Sequence, residues 1–147
     1  MTITKTFYEL DTEDLYQILR LRSEVFVVEQ DCVYQDLDNK DQNATHLYYK
    51  ENSEIVAYTR IFKAGDYYKN PCIGRVVVSK KNRGKDLGKK IMIDSIEYIK
   101  QNIKGKKIEL SAQKYLDKFY KDLGFYKIGE DYLEDGIPHQ RMLFDLV

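Results

Sequence analysis

Six basic residues, Lys80, Lys81, Arg83, Lys85, Lys89 and Lys90, gather around Gly84 and Gly88 with one acid among them, Asp86. A β-branched run, Val76, Val77 and Val78, precedes them and reads as a buried strand. After them, Leu87, Ile91, Ser95, Tyr98 and Asn102, together with Met92, Ile96, Ile99 and Ile103, recur at helical spacing with a broad apolar face. The order is strand, turn, helix. The first turn of a helix leaves backbone N–H groups unpaired and carries about half a positive charge, so it favours an acid by about 0.3–1 kcal/mol. Cations placed there cost stability and suit the reception of a polyanion.

The turn has no G-x-x-x-x-G-K-[ST] and no G-x-G-x-x-G, so neither a nucleoside-triphosphate loop nor a dinucleotide turn is supported. Arg83, then Asp86 in the place of a first glycine, then Gly88 resembles the pyrophosphate signature R/Q-x-x-G-x-G/A of the GNAT acetyltransferase superfamily. Further segments resemble its ElaA-like branch and run in the same order along nearly the whole chain. They are Leu21-Arg22, Val25 to Gln30, Tyr34-Gln35-Asp36 with Asp38, Gly74-Arg75-Val76, Ala112-Gln113, Phe119-Tyr120 with Gly124-Phe125, and Glu134 to His139. The resemblance implies acetyl-CoA as co-substrate, contacted by Val76, Val77, Val78, Arg83, Gly84, Lys85, Asp86, Leu87, Gly88, Lys89 and Phe119. It also implies a GNAT fold: an α/β (α+β) architecture whose mixed sheet of about six or seven strands has helices on both faces, with the parallel strands 73–79 and 107–111 splayed around the thioester. A large side chain at Gly84 is expected to crowd the turn and abolish coenzyme A binding.

Acetyl transfer to an amine needs a neutral nucleophile, a polarised carbonyl and a proton for the leaving thiolate. The resemblance puts Tyr120 near the coenzyme sulfur as that proton donor; composition alone would make it one packing tyrosine among 13. The base is left open between His139, whose type titrates near pH 6.5, Glu29, and ordered water. His46 is expected to pack at a strand start. Glu29, Asp31, Asp36, Asp38 and Asp41 place five carboxylates in one short span. A calcium loop is excluded because Lys40 falls on a ligand position, no glycine takes the sixth, and Leu47 replaces the closing Glu. No metal is expected. The span is either a solvated acidic loop or a cation-attracting one. Family architecture would set Glu29, Tyr34 and Asp36 against a small-molecule or peptide amine, with Arg75 tied to one of the acids. Polyamine, amino sugar, aminoacyl group and lysine side chain all remain open.

These groups need a frame. The 147 residues, 43% hydrophobic with no linker-like tract, fit one domain over 1–147. No apolar run approaches the roughly 20 residues that cross a bilayer, and residues 1–6 lack a signal-peptide core. A cytoplasmic protein with Cys32 and Cys72 reduced is expected, with no membrane partner. Zero net charge, and no aromatics interleaved with the lysines, argue against nucleic acid. Strands are expected at 2–10, 46–50, 55–62, 73–79, 107–111, 125–128 and 141–147. Helices are expected after Asp11 to Asp14, over the periodic run that Gly105 stops, and at 116–123. Exposed sheet ends leave room for a homodimer. A coenzyme A-binding module without catalysis is the alternative to an N-acetyltransferase.

Overall fold

The computed structural model describes residues 2–147. In chain order its elements are β1 (Thr2–Thr6), α1 (Thr12–Arg22), β2 (Thr45–Glu51), β3 (Glu54–Phe62), β4 (Cys72–Val78), α2 (Leu87–Asn102), β5 (Lys107–Gln113), α3 (Asp117–Asp122), β6 (Tyr126–Glu134) and β7 (Ile137–Asp145). They build one seven-stranded sheet in the order β1-β2-β3-β4-β5-β7-β6. Every neighbouring pair is antiparallel except β4 and β5. That parallel pair meets at a single register position, Cys72 opposite Glu109, where the Glu109 N–H donates to the Pro71 carbonyl at 2.8 Å. Beyond it the strands part, as the resemblance implied.

Helices cover both faces. Alternation along the strands, with a register shift beside Ile55, sends Tyr48, Ile55, Tyr58 and Val77 toward Ile18, Leu21 and Val25 of the first helical segment. Leu47, Ala57, Ile61, Ile108 and Leu110 go the other way, onto Ile91, Met92, Ile96 and Ile99 of α2. The helical period read from the sequence is therefore the buried face of α2. Helix α1 starts where the acidic cluster predicts: the Asp11 side chain accepts from the Asp14 N–H at 2.7 Å. It continues into a wider, π-type winding over Ser23–Glu29. Among the described residues no helix is long and apolar enough to cross a membrane.

Three expectations about local structure are corrected. The first strand ends at Thr6, because the Glu9 carboxylate accepts from both the Thr6 N–H (2.9 Å) and its hydroxyl (3.0 Å) and tightens the chain there. Helix α2 ends at Asn102, ahead of Gly105, since Ile103 is already extended. Gly105 answers to a close approach instead: a Cβ there would lie 2.7 Å from the Pro71 ring. The last hairpin is much longer than the expected 125–128 and 141–147. β6 is an edge strand exposed along much of both faces, so no apolar alternation announced residues 129–134. A bulge between Ile128 and Tyr132, with Gly129 at φ +70°, breaks the pattern further.

Candidate active site

The basic turn lies between β4 and α2. Asp86 is the residue just before the helix and adopts a left-handed conformation, φ 59° and ψ 22°. Asp and Asn tolerate that region better than other non-glycine residues, which explains why an acid can stand in a glycine's place. Its side chain makes no capping bond, and the first turn of α2 contains no acid. The opening N–H groups of the helix are thus left without side-chain acceptors. Gly84 sits at φ +82° in open space, with nothing within 4 Å of a would-be Cβ. Within the protein the position asks for a left-handed backbone, not for room. Lys81 is paired with Glu54 at 2.6 Å, and the Lys90 ammonium lies 5.2 Å from the Tyr49 ring centroid. Among the described residues Lys80, Lys85 and Lys89 have no ion-pair partner.

From this turn a cleft of about 440 Å³ runs along Val76, Val77 and Val78, past Arg83, Gly84, Asp86, Leu87, Gly88 and Lys89, to Phe119 and Tyr120. Lys85 does not line it. A second cleft, about 220 Å³, opens on the other side of the β4/β5 gap. The two share Val76, Val77, Val78, Leu116 and Tyr120. The Tyr120 side chain is held between the rings of Phe119 (5.0 Å) and Phe125 (5.9 Å). Burial pushes its phenol well above the usual tyrosine range, so the proton stays on oxygen and the group is a donor throughout ordinary pH. Strand β4 is kinked beside it: Gly74 faces Arg60 and Val77 faces Tyr58, so Arg75 and Val76 together oppose Thr59. Arg75 carries the strain at φ 48°.

The acidic span proves to be paired. Arg22, fully buried, donates to Asp36 Oδ2 at 3.0 Å and Asp41 Oδ1 at 2.8 Å. Arg60 grips both oxygens of Asp38 at 2.9 Å and also reaches Asp41 at 3.0 Å. Arg75 Nε lies 2.8 Å from Asp36 Oδ1, which also accepts from the Tyr34 hydroxyl at 3.1 Å. Burial alone would raise the Asp38 and Asp41 carboxyls, but these arginines overcome it and hold both below the usual range. His46 packs as expected, its two ring nitrogens 2.6 Å from the Tyr58 hydroxyl and 3.0 Å from the Asp41 carbonyl.

Two expected acceptor contacts are corrected by this geometry. Asp36 has both carboxylate oxygens engaged and is 5% exposed, so it has no free face for an amine. Glu29 turns away from the acceptor cleft to Arg83, whose Nη2 is 2.7 Å from Oε1, and this pairing holds the Glu29 carboxyl below its usual range and weakens it as a base. Arg83 also donates to the Val78 carbonyl at 3.2 Å, tying the turn to the strand end. Tyr34, Arg75 and His139 do line the cleft.

The tip of the β6–β7 hairpin also lines that cleft, and the sequence marks only its histidine for chemistry. Asp135 (φ 51°) and Gly136 (φ 77°) form a two-residue turn of the left-handed kind that suits hairpins. It sets Tyr132 opposite His139 and Glu134 opposite Ile137. The His139 Nε2 lies 3.3 Å from Glu134 Oε2, and Nδ1 lies 2.7 Å from the Ile137 carbonyl. Ser111 donates to Glu134 Oε1 at 3.4 Å and is hydrogen-bonded to the Tyr132 hydroxyl. The signal that could have found Glu134 was in the sequence: an Asp-Gly turn between strands fixes which side chains share a face.

Comparison with known proteins adds an independent line. Residues 9–146 match the family model described as an acetyltransferase (GNAT) domain. The chain is 41% identical to the protein ElaA of Escherichia coli over 141 residues, covering 95% of this chain and 92% of that protein. The crystal structure of Escherichia coli ElaA superposes with a TM-score of 0.91, covering 99% of each chain at 38% identity. An acyl-CoA N-acyltransferase from Pseudomonas aeruginosa superposes with a TM-score of 0.90 at 35% identity, covering 98% of this chain and 99% of that one.

Proposed function

The chain belongs to the GNAT acetyltransferase family, in its ElaA-like branch, and on that premise we propose that it is an acetyl-CoA-dependent N-acetyltransferase acting on a primary amine by direct attack in a ternary complex. The observation that carries the reading is the pair of clefts that share a wall at Tyr120. One begins at a helix whose first turn holds no acid and whose preceding Asp86 makes no capping bond, beside lysines that among the described residues lack ion-pair partners, a chemistry that fits a pyrophosphate. It then follows β4, whose edge is unpaired with β5 beyond Cys72 and can hydrogen-bond an extended amide arm. The other cleft would hold the acceptor.

Acetyl-CoA supplies an acetyl group activated as a thioester. The protein's residues orient and protonate. The amine nitrogen forms a bond to the acetyl carbon, the carbon–sulfur bond breaks with its electron pair left on sulfur, and Tyr120 gives that sulfur its phenolic proton. The ammonium sheds two protons on its way to the amide: one restores Tyr120 and the other leaves to solvent. Tyr120 suits the role because burial keeps it protonated. The same reading takes residues 1–147 as one cytoplasmic domain serving a small-molecule or peptide acceptor.

Tyr120→Phe tests the assignment. Thiol release from acetyl-CoA in the presence of a panel of primary amines should slow by about 100-fold or more in kcat, while acetyl-CoA affinity measured by calorimetry stays the same. Full turnover in the variant would remove Tyr120 from the mechanism.

A further inference from the structure

The acceptor cleft carries a pair of groups that the transfer step above does not use. His139 Nδ1 is 2.7 Å from the Ile137 carbonyl oxygen, and a carbonyl can only accept, so Nδ1 carries the hydrogen. In the neutral ring the lone pair is then on Nε2, and Nε2 faces Glu134 Oε2 at 3.3 Å. Two acceptors set face to face at that distance repel one another unless a donor or a proton serves both. Each is held in place. Ser111 donates to the other oxygen of Glu134, the Tyr132 hydroxyl bonds Ser111, and the Tyr132 ring stacks on the imidazole with centroids 6.2 Å apart. His139 is 6% exposed, while the Glu134 side chain is 47% exposed and reaches solvent.

We propose that Glu134 and His139 form the ammonium site of the acceptor cleft, and that His139 Nε2 takes the first proton from the bound amine. This rests on the transferase reading and names the acceptor it would use. A primary ammonium has three N–H donors, enough to serve Nε2 and Oε2 together. One N–H bond breaks, its electron pair stays on nitrogen as the attacking lone pair, and the proton moves to Nε2. The resulting imidazolium is stabilised by the Glu134 carboxylate, which passes the proton to water. Arg60 and Arg75, in the opposite wall, do not cancel the pull on a cation, because Asp36, Asp38 and Asp41 already neutralise them together with Arg22. Three aromatic rings also line the cleft, with Tyr67 stacked on Phe62 at 5.1 Å and edge-on to Tyr68 at 4.8 Å. The acceptor class is thus a primary amine on an aromatic or alkyl arm.

The chain has two histidines, and His46 is interior with both nitrogens bonded, so it serves as an internal reference. The imidazole signals of the protein are followed by NMR during titration with 2-phenylethylamine, with and without coenzyme A, and with 2-phenylethanol as the uncharged counterpart. The His139 signals should shift saturably with the amine and not with the alcohol, and His46 should stay still. Glu134→Gln should weaken the amine by about tenfold or more and lower kcat/KM for it, with acetyl-CoA affinity unchanged. A motionless His139, or an affinity indifferent to Glu134→Gln, overturns the ammonium site. Failure of the transferase reading shows elsewhere, as absent acetyl-CoA binding in the calorimeter.

Discussion

The basic turn at Lys80 to Lys90 and the acidic span from Glu29 to Asp41 are both dense in charge, yet the fold uses them in opposite ways. In the acidic span Asp36, Asp38 and Asp41 are gripped by arginines drawn from α1, β3 and β4, and Glu29 by Arg83. In the turn Lys80, Lys85 and Lys89 have no ion-pair partner among the described residues, and the first turn of the helix behind them holds no acid. Charge that closes on itself holds the chain together; charge left open at a helix start is available to a ligand. Both regions look alike as strings of letters, and pairing separates them.

Mutation should separate them too, beginning with the larger effect. Arg22→Met leaves Asp36 and Asp41 buried with fewer partners, and breaking a buried pair from one side costs about 3–5 kcal/mol. Urea or thermal unfolding should show that loss, and a variant as stable as the parent would mean the aspartates relax into solvent. At the turn, Gly84→Ala places a side chain on a left-handed residue at φ +82° with nothing nearby to clash, so the cost should be only strain, about 1–2 kcal/mol. Smallest for stability is the double change Lys85→Gln and Lys89→Gln, which should leave unfolding within about 0.5 kcal/mol of the parent. Its effect should appear in acetyl-CoA affinity and in a shallower salt dependence, whereas Lys81→Gln, which removes a lysine already paired with Glu54, should change affinity less. Equal losses from the two would erase the contrast between paired and open charge.

How far the sequence reveals this arrangement depends on how local the cause is. Strand, turn and helix around Gly84 and Gly88 are legible because periodicity and glycine position act within a few residues, and the Asp11 cap is legible for the same reason. The pairing of Asp36 is not, because its partners Arg22 and Arg75 lie 14 and 39 residues away, on separate elements that only the sheet brings together. The sequence therefore points Asp36 at an amine, whereas the fold uses it as a structural anchor. The edge strand β6 was also hidden, since exposure on both faces erases the alternation that marks a strand. Glu134 lies between these cases, because the Asp135-Gly136 turn gives its register but only the folded hairpin gives its distance to His139. The left-handed Arg75 and the bulge in the β3/β4 pairing had no sequence signal, being a property of two strands meeting.

The proposed function requires the turn before α2 to receive the pyrophosphate of the co-substrate. Calorimetric titration with acetyl-CoA and, in parallel, with S-acetylpantetheine, which has the same thioester arm and no phosphates, tests it most directly. Acetyl-CoA should bind far more tightly, by about 100-fold, roughly the worth of two charge-assisted hydrogen bonds, and the gap should narrow as salt rises. Equal affinities, or a gap insensitive to salt, would contradict it.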